Sequence, residues 1–466
     1  MIVVLSSGCA AVGIDYVSPE ADVPNAWQYN LQNPAVKEAA DPELLKQWWK
    51  SFNDDTLNTL IAKTEENNKT LKSARFALSA ARAKLRATDA GHMPSLDASG
   101  SAKGIHYGDS RLPDQNIDSY SAGLDASWEI DVFGGLKRET EAVTADMQAT
   151  AESLRDTLVS LLAETATNYI NLRTYQQSLA TADEDIRLNT ELYELTENRY
   201  KAGLVDEAEL KKALYQLEYS RTKPDDLKAK IDAAMNRLSV LTGEKPGAVN
   251  ELLVKGGMPR IPVEAAVGIP ADAIRRRPDV RMSERQLAAQ TARIGAAKSD
   301  LYPKFTLAGS LGYQSGNTGS LFDNKNMTLS AGPSFRWALF DFGAIRQNIN
   351  VQTETQKKYL ADYESSVLSA LEDVENAMSA FDREKSKSVQ LEKALNAAKE
   401  AYDLEYKKYT AGLADYTDVI NTESAYISYK DSLTQSRAGT GIYLISLYKA
   451  LGGGWQSYEV KDEKQN

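Results

Sequence analysis

Four short segments alternate between apolar and polar residues, and two very long ones run without Gly or Pro, the first carrying apolar residues mainly at intervals of three, four and seven. In the first class, Tyr120, Ala122, Leu124, Ala126, Trp128 and Ile130 alternate with Ser121, Gly123, Asp125, Ser127 and Glu129. Met327, Leu329, Ala331, Pro333, Phe335, Trp337 and Leu339 likewise alternate with Thr328, Ser330, Gly332, Ser334, Arg336 and Ala338. Phe305, Leu307, Gly309, Leu311 and Tyr313 form a third set, and Leu96, Ala98, Gly100 and Ala102 a weaker fourth. A period of two sends each set to one face of a sheet, which predicts strands at ~94–103, ~120–130, ~303–313 and ~327–339. In the second class, Val143, Met147, Leu154, Leu158, Leu161, Tyr169 and Leu172 trace the narrow stripe of a coiled-coil seam. Neither Gly nor Pro occurs from Leu136 to Ala202 or from Ala344 to Ala411, so helices are predicted at ~136–202 and ~344–411. At about 1.5 Å per residue each is on the order of 100 Å long, wider than one compact domain.

The two classes occur twice in the same order. Pro94, Gly100, Trp128, Phe133, Tyr193, Tyr200, Gly203 and Gly243 are matched by Pro303, Gly309, Trp337, Phe342, Tyr402, Tyr409, Gly412 and Gly452, each 209 positions later. A repeat this long is a duplicated half, not a solenoid unit. The first repeat is assigned to 57–243 and the second to 279–452, each opening on a helix that precedes its strands. Residues 1–56, 244–278 and 453–466 flank and join them. Lys201-Ala202-Gly203-Leu204 and Thr410-Ala411-Gly412-Leu413 end the long helices, with Gly suited to the left-handed position. Asp206 and Asp415 then favour the start of return helices at ~206–242 and ~415–451. Pro224 is expected to interrupt the first return arm, and Gly439 with Gly441 the second.

A strand of ten or eleven residues tilted by about 45° rises roughly 25 Å, the height of the apolar band of an outer-membrane barrel. Trp128 and Trp337 lie at the strand ends leading into the long helices, where interfacial aromatics belong. Polar loops, Tyr107 to Ser119 and Gln314 to Asn326, join the strands at the far end. Asp, Glu and Arg on the polar face leave no second sheet for a soluble sandwich. Four strands do not close a barrel, and open edges are not tolerated in lipid. The chain must therefore oligomerise, to eight strands as a dimer or twelve as a trimer.

Composition narrows the function by exclusion. The 466 residues carry 54 Lys plus Arg against 65 Asp plus Glu, a net charge of −11 that lacks the footprint of a nucleic-acid binder. One Cys and two His (His92 and His106) leave no disulfide framework, no Cys-rich zinc site and little imidazole chemistry. No P-loop or nucleophile elbow occurs, so neither an enzyme nor a cofactor is expected. Negative mean hydropathy does not argue against a barrel, which places lipid-facing residues only at alternate positions. A soluble coiled-coil scaffold with a small β insert would not need that alternation. Near the start, Leu5-Ser6-Ser7-Gly8-Cys9 resembles the end of a bacterial lipoprotein signal, with Leu one place early and only eight residues ahead of Cys9. Cys9 is the expected lipidation site.

Together these residues resemble the TolC-type outer-membrane factor family, lipoprotein branch. The likeness extends to Trp48-Trp49-x2-Phe52-x-Asp54-x2-Leu57-x2-Leu60-Ile61 and to Ala273-Ile274-Arg275-Arg276-Arg277-Pro278-Asp279-Val280-Arg281. The resemblance implies an α+β membrane protein: a homotrimer whose 12-stranded transmembrane barrel, four strands per chain, continues into a long periplasmic α-helical coiled-coil barrel. It implies the outer-membrane exit duct of a tripartite efflux pump, docked to a periplasmic adaptor and an inner-membrane efflux transporter. The alternative is the duct of a type I protein-secretion system. By resemblance, the periplasmic gate comprises Asp418, Asn421 (where an acid is common), Asp415, Tyr409 and, at the matching level of the first repeat, Glu209. Ala414 stands where some members have a gating Arg. Ala202, Gly203, Leu204, Ala411, Gly412 and Leu413 are the expected adaptor-docking tips. Arg275–Asp279 reads as structural: the basic residues close one helix and Pro278 opens the next.

Overall fold

The computed structural model describes residues 11–29, 42–106, 116–254, 256–262 and 270–456. In chain order the helices and strands are α1 (Pro42–Lys46), α2 (Asp55–Asn67), α3 (Lys69–Ala90), β1 (Ser95–His106), β2 (Asn116–Ile130), α4 (Gly135–Lys201), α5 (Glu207–Ser220), α6 (Lys223–Leu241), α7 (Asn250–Val254), α8 (Pro270–Arg276), α9 (Pro278–Ser299), β3 (Lys304–Ser315), β4 (Met327–Arg336), α10 (Ala344–Thr410) and α11 (Tyr416–Ala450). Both long helices have 67 residues. Among the described residues, no helix is long and apolar enough to cross a membrane.

The chain divides into two compact units. One comprises Met1–Glu20, Phe76–Ala151 and Met282–Ser365, the other Ala21–Arg75, Glu152–Arg281 and Ser366–Asn466. In the first, the strands form one antiparallel sheet in the order β1-β2-β3-β4. The register carries apolar residues straight across it. Ala98, Leu124, Leu311 and Leu329 form one row, Leu96, Ala126, Gly309 and Ala331 another, and Ile130, Phe305 and Phe335 a third. The opposite face is laced by hydroxyls: Ser101 with Ser121 at 2.9 Å, Ser310 with Ser330 at 2.8 Å, and Ser99 donating to Asp125 at 2.6 Å. Among the described residues, no second layer covers the apolar face. Leu124, Leu311 and Leu329 are 46%, 47% and 75% exposed, an uncovered patch that a soluble monomer rarely carries.

The N-terminal segment is tied down in the same unit. Val12 N–H donates to the Phe133 carbonyl at 3.0 Å, and the Arg138 guanidinium holds the Val12 carbonyl and Asp15. Tyr16 Oη donates to Glu284 at 2.8 Å. Ala11 lies so close to Gly134 that a side chain there would collide with it.

In the second unit, the Trp48–Ile61 segment explains itself physically. Trp48, Trp49 and Phe52 are buried, and Trp48 stacks on Tyr448 with centroids 5.6 Å apart. Asp54 caps α2 by accepting from Leu57 N–H at 2.8 Å, and its other oxygen accepts from Tyr169 Oη at 2.8 Å. Burial pushes the Tyr169 hydroxyl up to about 12. Asp54→Ala is expected to cost roughly 2–3 kcal/mol, combining a lost cap with an unpaired hydroxyl. In thermal melts, adding Tyr169→Phe to Asp54→Ala should recover part of that loss. Arg277 is equally structural: it bridges Asp279 and Asp373 and donates to the carbonyls of Ala370 and Ala450. Arg275 and Arg276 close α8, and Pro278 opens α9.

Several boundaries differ from the sequence reading. Strands β1 and β2 run further into their connection than expected, to His106 and from Asn116. Strand β4 stops at Arg336, leaving Trp337 and Leu339 beyond it. The first return arm breaks into α5 and α6 just before Pro224, but Gly439 and Gly441 do not interrupt the second, since α11 is one helix of 35 residues. These glycines serve close packing instead. A Cβ at Gly441 would lie 2.9 Å from Ile170 Cδ1, and one at Gly439 3.2 Å from Glu384 Cγ. Met147, expected on the seam, is half-buried, whereas its stripe neighbours Val143, Leu154 and Leu158 are buried.

Candidate functional site: the hairpin ends and the seam behind them

Each long helix ends in the same turn. Gly203 and Gly412 adopt φ of +71° and +75°. Gly203 N–H reaches Tyr200 O and Leu204 N–H reaches Arg199 O, both at 2.9 Å, while Gly412 and Leu413 repeat this on Tyr409 O and Lys408 O. These paired bonds absorb the last free carbonyls of each helix and require a left-handed residue, which Gly supplies without strain. Both turns present leucine to solvent: Leu204 is 69% and Leu413 79% exposed. Ala202 and Ala411 are exposed beside them. Asp206 caps α5 by accepting from Glu209 N–H at 2.9 Å. Asp415 holds the matching position before α11, but its side chain accepts no capping bond.

Behind the turns lies a core shared by both hairpins. Leu188 and Leu192 of α4, Ala213 of α5, Tyr402 and Tyr409 of α10, and Tyr416, Val419, Tyr426 and Ile427 of α11 pack together. Tyr409 is completely buried. Its hydroxyl donates to Glu209 Oε1 at 3.0 Å and lies 3.0 Å from Thr196 Oγ1. The Arg199 guanidinium covers the Tyr409 ring at 4.4 Å and donates to the Tyr409 carbonyl at 2.7 Å. Burial holds the Tyr409 hydroxyl above its ordinary range. Two residues assigned to separate repeats, Tyr409 and Glu209, are thus joined in one clasp between the hairpins. Asp418, Asn421 and Asp415 do not enter it; all three are exposed on or before α11.

Two turns of helix further along, a second polar cluster occupies the seam. Glu423 is 1% exposed, and its Oε1 accepts from Asn189 Nδ2 at 2.9 Å. The same amide reaches Asp185 Oδ1 at 3.1 Å, and Lys223 Nζ donates to Asp185 Oδ2 at 2.8 Å. Glu423 Oε2 and Asn189 Oδ1 are buried without a hydrogen-bond partner. Burial, followed by the charge of Asp185, pushes the Glu423 carboxyl up to about 8. Nearby, Glu184 accepts from Tyr426 at 3.0 Å and from Lys430. Burial alone would raise Glu184, but those two donors pull it below the ordinary carboxylate value.

Sequence reading missed Thr196, Arg199, Asp185, Asn189 and Glu423. The available signal was spacing: Ser178, Asp185, Asn189 and Thr196, separated by seven, four and seven, continue the apolar stripe of α4, and all four are buried. Arg199 places a cation in the tip region despite Ala414. Among the described residues, no group of His, Cys, Asp and Glu is arranged to hold a metal.

At the strand ends, Trp128 Nε1 donates to His92 O at 2.9 Å and Trp337 Nε1 to Leu301 O at 3.0 Å. Donor and acceptor alike are 209 positions apart between the two bonds. Each indole pins the chain entering its repeat's first strand, yet stays 36% (Trp128) and 48% (Trp337) exposed. Cys9 lies outside the described residues.

Comparison with known proteins also finds the chain matched twice. The family model described as outer membrane efflux protein matches residues 60–244 and again 269–453, the same 209-residue offset. Nodulation protein T of Rhizobium leguminosarum bv. trifolii is 29% identical, over 97% of this chain and 96% of the relative. The probable outer membrane lipoprotein SilC of Salmonella typhimurium is 26% identical, over 96% of each. The solved outer-membrane channel OprN superposes with a TM-score of 0.88 at 30% identity, covering 96% of this chain and 99% of that one. A sheet bare on its apolar face, continued by paired long helices and built twice over, is therefore the subunit fold of an outer-membrane channel, and the chain belongs to the outer membrane efflux protein family.

Proposed function

We propose that three copies of this chain assemble into the outer-membrane exit duct of a tripartite efflux pump. The observation that carries the assembly is the sheet: among the described residues, it has one apolar face without cover and two unpaired edges, β1 and β4. Lipid satisfies the face, and only closure satisfies the edges. Three sheets make twelve strands, and the hydroxyl-laced faces line a wet lumen. A periplasmic adaptor docks on the exposed turns around Gly203–Leu204 and Gly412–Leu413, and an inner-membrane transporter supplies the energy. The duct itself makes and breaks no bonds. Small toxic solutes are the cargo class; a type I secretion system would use the same geometry for unfolded protein. Cys9 carries the lipid anchor, a reading supported by Ala11 lying against Gly134 where β2 gives way to α4. The name of the SilC relative, an outer membrane lipoprotein, favours the same reading.

The test is the mass of the detergent-extracted protein, corrected for bound detergent: a trimer is expected, and a monomer overturns the assembly. We further assign Asp418, exposed near the start of α11, to an acidic ring at the closed periplasmic mouth, with Asn421 and Asp415 beside it. Such a ring concentrates cations. Asp418→Ala is expected to reduce cation over anion permeability several-fold in planar bilayers, read from the reversal potential in a salt gradient. An unchanged reversal potential removes Asp418 from the mouth.

A further inference from the structure

We infer that Glu423 and Asn189 form a proton-operated latch between the two hairpins. Neutral Glu423 accepts from Asn189 Nδ2 and donates from its own Oε2 to Asn189 Oδ1; loss of that proton releases α11 from α4. The two side chains are fully buried and already share one bond, Asn189 Nδ2 to Glu423 Oε1 at 2.9 Å. The other oxygen of each, Glu423 Oε2 and Asn189 Oδ1, is buried without a partner. Both are acceptors while Glu423 is ionised, so neither serves the other, and unmet buried acceptors are destabilising. A single proton on Oε2 turns one of them into a donor and meets both.

The surroundings favour the neutral form. Helix α4 contributes Asp185 and Glu191, the latter paired with Arg187; Lys223 stands at the start of α6, Tyr402 on α10 and Tyr416 on α11. The Lys223 ammonium is held by Asp185 at 2.8 Å. An ionised Glu423 therefore sets a second carboxylate against one ammonium, behind the apolar wall of Leu188, Leu192, Tyr402 and Tyr426. Burial and the Asp185 charge raise the carboxyl to about 8, within reach of mild alkalinity.

The same cluster anchors a joint. Helix α5 ends at Ser220 and α6 starts at Lys223, because Pro224 has no N–H to offer the Ser220 carbonyl. Lys223, the residue before that proline, is the one that grips Asp185, one turn from Asn189 along α4. At the matching place of the second repeat stands Leu433, and α11 runs through it unbroken. The joint thus belongs to the first hairpin, and beyond it lies α5, whose Glu209 is clasped by Tyr409. Losing the proton weakens the hold at the joint and leaves the clasp to keep the hairpins together. Higher pH therefore favours parted hairpins.

The effect on a channel rests on reading these turns as its mouth; the latch itself does not, and separate measurements address each. Infrared spectra of the detergent-solubilised full chain, titrated from about pH 6 to about pH 10, should lose one protonated-carboxyl band that Glu423→Gln lacks throughout. Absence of that band at the acid end means an ionised Glu423 with a cation or water on Oε2, and overturns the latch. In Asn189→Leu the band should move to higher frequency, because the proton loses its acceptor; an unmoved band overturns the pair. Hydrogen exchange in residues 207–220, corrected for its intrinsic pH dependence, should rise several-fold over the same range in the wild type and hardly at all in Glu423→Gln. Equal rises in the two proteins overturn the link to the joint. In planar bilayers the open fraction should follow the exchange, rising several-fold with pH in the wild type and staying low in Glu423→Gln. Protein that passes the infrared and exchange tests but forms no channel overturns the mouth reading and leaves the latch standing.

Discussion

Glu423→Gln is expected to stabilise the helical unit by a few kcal/mol at pH 8, while leaving its stability near pH 4 almost unchanged. Glu423 is buried between α4 and α11. The groups facing it are Asp185 and Glu191, whose charges disfavour ionisation, Lys223, whose charge favours it, and the Asn189 amide. Its carboxyl is raised from 4.5 to about 8. Below pH 4.5 the group is protonated in both folded and unfolded chains, and no penalty exists. Between 4.5 and 8 the unfolded chain has released the proton that the folded one retains, so stability falls as pH rises. Above 8 both forms are ionised, and the whole cost of a buried carboxylate is felt. An amide keeps the shape, and it carries a donor on the side where Glu423 Oε2 and Asn189 Oδ1 now lack partners. Melting temperatures of the detergent-solubilised protein at pH 5, 6.5 and 8 provide the check. The wild type should lose stability across that range, and the variant should lose much less. Parallel profiles would mean that Glu423 is not the titrating group.

Tyr409→Ala is expected to cost about 3–5 kcal/mol, the range for deleting a fully buried aromatic side chain. It removes the ring beneath Arg199 as well as the hydroxyl shared by Thr196 and Glu209. Tyr409→Phe keeps the ring and loses only the hydroxyl, so about 1–2 kcal/mol is expected. The pair separates packing from clasping. Because the hydroxyl ties α10 to α5, and α5 belongs to the other hairpin, Tyr409→Phe should loosen the proposed closed mouth while the proposed trimer stays intact. Arg199→Ala should do the same, since it removes the guanidinium's bond to the Tyr409 carbonyl, leaving only that from Gly412, and uncovers the ring. Single-channel recordings should then show longer open times for both variants, with detergent mass confirming assembly. Wild-type open times in Tyr409→Phe would confine Tyr409 to packing.

The strands were legible because, among the described residues, one face of the sheet has no second layer packed on it. Period two survives undiluted when lipid, rather than a second layer, receives every other side chain, as the row Ala98, Leu124, Leu311 and Leu329 illustrates. The long helices were legible from missing Gly and Pro, and the turns from Gly203 and Gly412. The seam was only half legible. Beyond Leu172, Asp185, Asn189 and Thr196 share the buried positions with Leu188 and Leu192, and a search for apolar residues passes over polar ones that pair with each other. Gly439 and Gly441 misled for the opposite reason. A residue that weakens an isolated helix is retained where a neighbouring side chain leaves room for nothing larger. The end of β4 was overestimated because Trp337 and Leu339 continue the alternation without a strand in their own chain to pair with. The clasp was invisible as a unit: Tyr409 and Glu209 are 200 residues apart, and nothing local couples them.

The two indole bonds, Trp128 to His92 and Trp337 to Leu301, have a mechanical consequence. They sit at repeat-matched positions, so the proposed barrel would carry two such indoles per chain at equivalent levels. In the proposed trimer there are six such bearings around one circumference. Tilting the duct would push some indoles into hydrocarbon and lift others into water, whereas thinning the bilayer would load all six alike. The proposed assembly would thereby resist rocking more than axial displacement, the motion that would keep it aligned with a partner docked on its turns.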